Sequence, residues 1–177
     1  MKNYKKYEQN SPYDSPWPFQ HRLRQIIWEY CWLLLCSWTP KPLNRWRVWV
    51  LKRFGAKVYG QPFVHQRARI QIPWHITLKD KAAIGDRANL YSLGEIYIGE
   101  GATIAQEAYL CTGTHDFSSP ELNLLTASIR IEAYVFVGAR AFIMPGVTIG
   151  EKAIIGACSL VTKDVLSFSI VKGFPKK

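Results

Sequence analysis

The chain has few acidic residues, few histidines, no paired thiol motif and no apolar run long enough to cross a bilayer. Thirteen Asp and Glu stand against 23 Lys and Arg, giving a net charge of +10 and a pI near 9.6. That balance permits nucleic acid, an anionic membrane or a phosphorylated small molecule as partner. Cys31, Cys36, Cys111 and Cys158 form no CxxC pair, which argues against a disulfide framework and for reduced thiols in the cytoplasm. The apolar core of the most hydrophobic segment, Ile26 to Trp38, is thirteen residues long and contains Glu29. A spanning helix needs about twenty, so this one is not expected to span. The N-terminus opens on charge and proline rather than on an apolar core behind a basic start, so no signal peptide is expected. A chain of 177 residues fits one domain with an appendage.

What the sequence does have is a period. From Ile131 every sixth residue is a branched aliphatic: Ile131, Val137, Ile143, Ile149, Ile155 and Val161. Four positions along, the series Val135, Ala141, Val147, Ala153, Ser159 and Val165 is small or β-branched. Six matches neither the 3.6 of a helix nor the two of an ordinary strand, but hexapeptide repeats mark the parallel β-helix. Each hexad supplies a short strand and a turn, and three hexads close a triangular coil. Gly138, Gly150 and Gly156 follow the aliphatic at turns where a side chain would crowd the backbone. The uniform spacing excludes a β-sandwich. The expected architecture is all-β, a parallel β-helix over 58–177 behind an N-terminal α-helical extension in 1–57.

Residues 1–19, Tyr-rich and broken by prolines, read as an extended tail whose aromatics dock it. Gln20 to Trp38 is helical by its apolar spacing of three and four, and a second short helix runs from Leu43 to Phe54. Two roles are open to residues 20–54. They cap the open end of the β-helix, or they lie on an anionic membrane through tryptophans flanked by Arg22, Arg24, Arg45, Arg47 and Arg53. The second would place the protein at the inner face of the membrane.

The repeats begin at Val58, Val64 and Ile70 and continue through Leu78, Ile84, Leu90, Ile98, Ile104 and Leu110. The step fails three times: eight residues from Ile70 to Leu78, eight from Leu90 to Ile98, and twenty-one from Leu110 to Ile131. Each failure follows a third hexad, so all three fall on one side of the prism. The long insertion at 111–130 is the place to expect the active site. It carries Thr112-Gly-Thr-His115-Asp116, and neutral imidazole is suited to take a proton from a hydroxyl and return it to a leaving group. Asp116 is a candidate to orient that ring or to bind an acceptor hydroxyl. His75, Glu95 and His115 recur at intervals of twenty. If they stack at about 4.8 Å per coil, Glu95 reaches His115; a bulge after Leu90 would break the stack. His75 and His115 would then lie about 9–10 Å apart, too far to share a metal, and none is expected.

The hexads, the Cys111 to Asp116 loop, the run Ile155-Gly-Ala-Cys-Ser-Leu-Val-Thr-Lys-Asp164 and the ending Val171-Lys-Gly-Phe-Pro175 together resemble the hexapeptide-repeat acetyltransferases, which are left-handed β-helices. Within them the chain is most similar to the colanic acid biosynthesis type, and less so to maltose, galactoside and nodulation acetyltransferases. The resemblance implies acetyl-CoA as donor, a sugar hydroxyl on a lipid-linked or nucleotide-linked glycan as acceptor, and a homotrimer with the coenzyme between prisms. It implies His115 as general base, and Ala139, Ala157, Thr162 and Lys163 beside the coenzyme. Lys172, Lys176 and Lys177 suit its adenosine phosphates, or form a solvated tail. It also implies acceptor contacts at Tyr91-Ser92, where relatives commonly have Asn; no nucleic-acid partner is expected. The ending after Gly173 lacks the final strand or helix of many relatives, so one wall of the coenzyme site is expected to be thinner.

Overall fold

The computed structural model describes residues 3–11 and 14–174. Short parallel strands form the three faces of a left-handed prism. The first face holds Lys57–Val58, Ile76–Leu78, Ile96–Ile98, Ile129–Ile131 and Thr148–Ile149. The second runs from Phe63–Val64 to Ile170–Val171, and the third from Arg69–Ile70 to Leu160–Val161. Register follows the hexads: Val58 pairs with Leu78, Leu78 with Ile98, Ile98 with Ile131 and Ile131 with Ile149. Each coil therefore presents one aliphatic per face to the interior, and Ile98, Leu110, Ile131, Ile143 and Ile155 are fully buried. At the turns an added Cβ on Gly138 would lie 2.6 Å from the Ala157 nitrogen and 2.7 Å from the Ile155 oxygen, so backbone of the next coil fills that space. Gly138 and Gly150 are required by this stacking, whereas at Gly156 the nearest atom to an added Cβ is 3.3 Å away.

The two helices, α1 (Phe19–Leu35) and α2 (Asn44–Arg53), close one end. The first coil would otherwise leave its outer strand groups unpaired, a cost that edge strands must avoid. Instead Asn44 accepts from the Val64 N–H at 2.9 Å and donates to the Pro62 carbonyl at 2.8 Å. Arg47 donates to the Val64 carbonyl at 2.8 Å, and Trp28 Nε1 to that of Ile70 at 2.7 Å. Arg47 is fully buried. Its remaining donors go to Thr39 Oγ1 and the Pro40 and Lys41 carbonyls. The capping role is thus present in detail. The first helix ends three residues before the expected Trp38: the Ser37 N–H reaches back five residues to the Trp32 carbonyl, and Pro40 and Pro42 cannot continue the helix. Among the described residues no helix is long and apolar enough to cross a membrane.

The three expected breaks lie at the corner between the third and first faces, and the same corner holds a fourth, a shortening: Val165, expected at a small corner position, stands on the first face bridged to Ile149, four residues after Val161. The longest is a β-hairpin rather than irregular loop: Gly113–His115 pairs antiparallel with Leu124–Thr126. The tail is also more than loosely packed. Its strand Lys5–Tyr7 adds to the same hairpin, pairing Lys5 with Thr126 and Tyr7 with Leu124, and Tyr7 and Trp17 pack against Ile72, Leu93 and Leu124.

Candidate active site

His115 ends the first hairpin strand and is exposed. Its Nδ1 lies 2.7 Å from the Leu122 carbonyl oxygen. A carbonyl only accepts, so Nδ1 carries the proton and Nε2 is left with its lone pair, the tautomer a general base needs. Leu122 holds that carbonyl from a left-handed conformation, φ +49°. The other non-glycine residues with positive φ all sit at prism corners; Leu122 is the exception, a bulky residue strained where the imidazole is fixed.

Asp116 does not orient the ring. Its carboxylate accepts from Ser118 Oγ at 2.5 Å, the Ser118 N–H at 3.1 Å and Lys6 Nζ at 3.0 Å. Those bonds, Ser118 first and Lys6 next, hold its pKa down at about 2. Asp116 is therefore an anion that ties the tail to the hairpin. Glu95 does not reach the ring either. Strand Ile96–Ile98 pairs with Ile129–Ile131, and the Glu95 carbonyl accepts from Ile129 N–H. The hairpin lifts His115 out of the stack and Ser128 takes the place above Glu95, while the lower pair, His75 beneath Glu95, keeps the register of Ile76 with Ile96. His75 Nδ1 meets the Ser92 carbonyl at 2.9 Å.

Ser92 is a further correction. It is fully buried, accepting from the Ile72 N–H at 2.8 Å and donating to the Ile72 carbonyl at 3.0 Å. It staples two coils where the repeat is broken and has no access to an acceptor. One coil on, Thr112 Oγ1 does similar work between the Tyr91 carbonyl and the Gly94 N–H. Tyr91 itself does join His115. Both line a cavity of about 270 Å³ whose other walls include Trp17, Gln25, Gln71 and Leu124. Burial and the neighbouring Cys111 push the Tyr91 phenol upward, so it stays neutral near pH 7. A larger cavity, about 440 Å³, opens between α1 and the third face and shares Gln71 and Tyr91 with the first. It lacks His115, so the smaller one is the candidate reaction site.

The tail and helix contributions were not foreseen. Lys6, Trp17 and Gln25 come from segments whose apolar pattern speaks only of docking. Gln71 had a signal, since it stands in the first break of the period.

The proposed coenzyme residues separate onto two prism edges. Ala139 and Ala157 lie on the second-to-third edge, stacked through the Cys158 N–H to Ala139 carbonyl bond at 2.8 Å. Thr162 and Lys163 follow strand Leu160–Val161 on the edge that carries the hairpin. Within one chain the third face lies between them. Lys172 is exposed beyond the last strand; Lys176 and Lys177 lie outside the described residues. Among the described residues no group of three or more His, Cys, Asp or Glu is placed to hold a metal ion.

A left-handed hexapeptide prism with one histidine on a hairpin at its edge defines a class, and comparison with known proteins identifies the same one. Residues 128–163 match the bacterial transferase hexapeptide family (six repeats). The chain is 38% identical over 149 residues to the putative colanic acid biosynthesis acetyltransferase WcaF of Escherichia coli K12, covering 84% of this chain and 82% of that protein. It is 31% identical over 121 residues to the galactoside O-acetyltransferase of Lactococcus lactis, covering 66% and 52%. Among solved structures, the hexapeptide-repeat acetyltransferase VCA0836 of Vibrio cholerae in complex with acetyl coenzyme A superposes with a TM-score of 0.81 at 18% identity, over 90% of this chain and 87% of that one. The chain belongs to the hexapeptide-repeat acetyltransferases.

Proposed function

We propose that the protein transfers acetyl from acetyl-CoA to a sugar hydroxyl in bacterial exopolysaccharide or surface-polysaccharide biosynthesis, with His115 as general base. The observation that carries this is the fixed tautomer: Nδ1–H bound to the Leu122 carbonyl, on a ring that borders a cavity walled by Gln25, Gln71 and Tyr91. Amide and phenol groups of that kind suit a polyhydroxyl acceptor. His115 Nε2 takes the proton of the acceptor hydroxyl as its oxygen attacks the thioester carbonyl carbon. The tetrahedral oxyanion, held by a backbone N–H, collapses with loss of the CoA thiolate, and the imidazolium returns its proton to that sulfur. Named relatives support both halves. VCA0836 was solved with acetyl coenzyme A, and the curated relatives include a galactoside O-acetyltransferase and a colanic acid biosynthesis acetyltransferase.

The donor groove belongs to a homotrimer. An edge bearing no side chain larger than methyl at Gly138-Ala139 and Gly156-Ala157 lets a narrow pantetheine arm approach the backbone, while Thr162 and Lys163 stand on the edge nearest His115. Two copies side by side bring those edges together, which one chain does not. Labelled acetyl-CoA with a panel of nucleotide-linked and lipid-linked sugars tests the reading. His115→Ala is expected to lower kcat by about 10² to 10⁴-fold at unchanged thermal midpoint. Equal turnover by the variant would remove the mechanism.

A further inference from the structure

The first helix is amphipathic in the opposite sense from a helix that only caps. Phe19, Leu23, Ile26, Ile27, Tyr30 and Leu34 recur at helical spacing, and every one of them is exposed. The side turned to the prism carries His21, Gln25, Trp28 and Trp32, and Trp28 alone of the helix is buried. A capping helix needs its apolar stripe inside; here the stripe faces out, at 69% exposure for Phe19 and 65% for Leu34. The patch does not stop at the helix end. Trp38, 70% exposed, shares an apolar hollow with Leu35 at the end of α1, with Leu43, and with Trp46 of α2, and Trp46 stacks on Trp49 at 5.1 Å. Indole donors are already satisfied within the patch, Trp38 Nε1 by the Leu34 carbonyl at 2.7 Å and Trp46 Nε1 by that of Leu35 at 2.9 Å. Those rings can therefore enter an apolar phase without stranding a polar group. Exposed Arg22, Lys41, Arg45, Lys52 and Arg53 adjoin the patch in sequence.

We infer that this face seats the protein on an anionic phospholipid bilayer, and that the acceptor is presented to His115 from that bilayer as a lipid-linked glycan. An outward apolar stripe with tryptophans and adjoining cations is the chemistry of an interfacial helix. A second copy is less well matched, because protein interfaces are depleted in lysine and Lys41 and Lys52 stand beside the patch. The seating also places the site. Gln25 of α1 walls the His115 cavity, and Gln71 and Tyr91 also wall the larger groove beside it, bounded by Trp28, Trp32 and Leu33. A sugar at His115 thus sits in a cavity walled by the bilayer-facing helix itself. The acceptor class rests on acetyl transfer at His115; the docking does not.

Flotation of the full chain with phosphatidylcholine vesicles, with and without phosphatidylglycerol, tests the docking. Wild type is expected to float with the anionic vesicles and to bind more weakly without them or at raised salt. Ile26→Gln/Tyr30→Gln/Leu34→Gln is expected to lower the bound fraction about tenfold or more. Lys41→Gln/Arg45→Gln/Lys52→Gln, which leaves the stripe intact, is expected to lose only the preference for anionic lipid, and a loss of that preference stands even if the first variant misfolds. Wild type remaining unbound to anionic vesicles overturns the proposal. So does a folded first variant that floats normally, or one whose assembly mass drops, which would assign the stripe to a second copy. His115→Ala should float as wild type, separating docking from catalysis. For the acceptor class, the apolar variant should lose turnover on a vesicle-borne polyprenyl-diphosphate sugar and keep it on the same sugar in free, nucleotide-linked form; equal loss on both refutes it.

Discussion

The regular coils from Ile131 to Val161 and the corner that carries the hairpin are built from the same kind of short strand, yet they are held in different ways. In the coils each residue repeats a neighbour one coil away: Ile131 lies between Ile98 and Ile149, all three fully buried. At the corner that repetition is interrupted, and side chains do the work of register. Ser92 ties both backbone groups of Ile72, Thr112 ties Tyr91 to Gly94, and Lys6 ties the tail to Asp116. The difference teaches that the prism supplies rigidity by repetition, while the site is a one-off assembly hung on its edge. Apolar packing should therefore dominate the first region and polar staples the second.

The sharpest way to break the contrast is in the coils. Ile131→Ala removes a fully buried side chain from a stack that cannot collapse, because the backbones above and below are fixed by pairing on both sides. A loss of about 2–5 kcal/mol in chemical denaturation is expected. Turnover per folded molecule should stay near wild type. A variant that kept its midpoint but lost activity would show that the coils take a direct part in the chemistry.

How much of this was legible follows from the same contrast. The fold was legible because periodicity is a local property, and six consecutive aliphatics at one spacing leave few architectures. The hairpin that carries the candidate site was legible as the place where the period fails. The partners of His115 were not, because they depend on where the hairpin takes the chain after Cys111. Extending the twenty-residue stack through Glu95 assumed a register that ends at Cys111, the last residue to pair with the coil below. Leu122 carries no sequence signal at all, since what it contributes is a carbonyl. The strand Lys5–Tyr7 is likewise too short and too polar to announce its pairing.

A smaller effect sharpens the corner. Ser92→Ala keeps the volume nearly constant but leaves the buried Ile72 N–H without its acceptor, at a cost of about 1–3 kcal/mol. The acceptor KM should be unchanged, as the hydroxyl is fully buried. A raised KM at an unaltered unfolding midpoint would return Ser92 to the acceptor site and weaken the division between staples and chemistry.

The smallest effect is a pH dependence confined to the docked tail. His21 stacks on Trp17 at 4.7 Å and meets the edge of Trp74 at 5.1 Å, and its Nε2 is buried without a hydrogen-bond partner among the described residues. Burial first, then the positive charges of His75 and Arg24, lower its pKa below the ordinary 6.5. With the folded value below the unfolded one, stability is complete above about pH 6.5 and is lost as the pH falls toward the folded value, because the undocked chain takes the proton first. His65 in the first coil is lowered in the same direction, chiefly by burial, and would destabilise the prism over the same range. The two are separable by place. Amide protection of Lys5–Tyr7 and the hairpin, corrected for intrinsic exchange, should fall by up to about tenfold per pH unit below 6.5. In His21→Phe that slope should flatten while the pH dependence of global unfolding persists. Tail protection equally pH-dependent in wild type and His21→Phe would mean that the tail opens only with the prism, and that corner and coils are one cooperative unit after all.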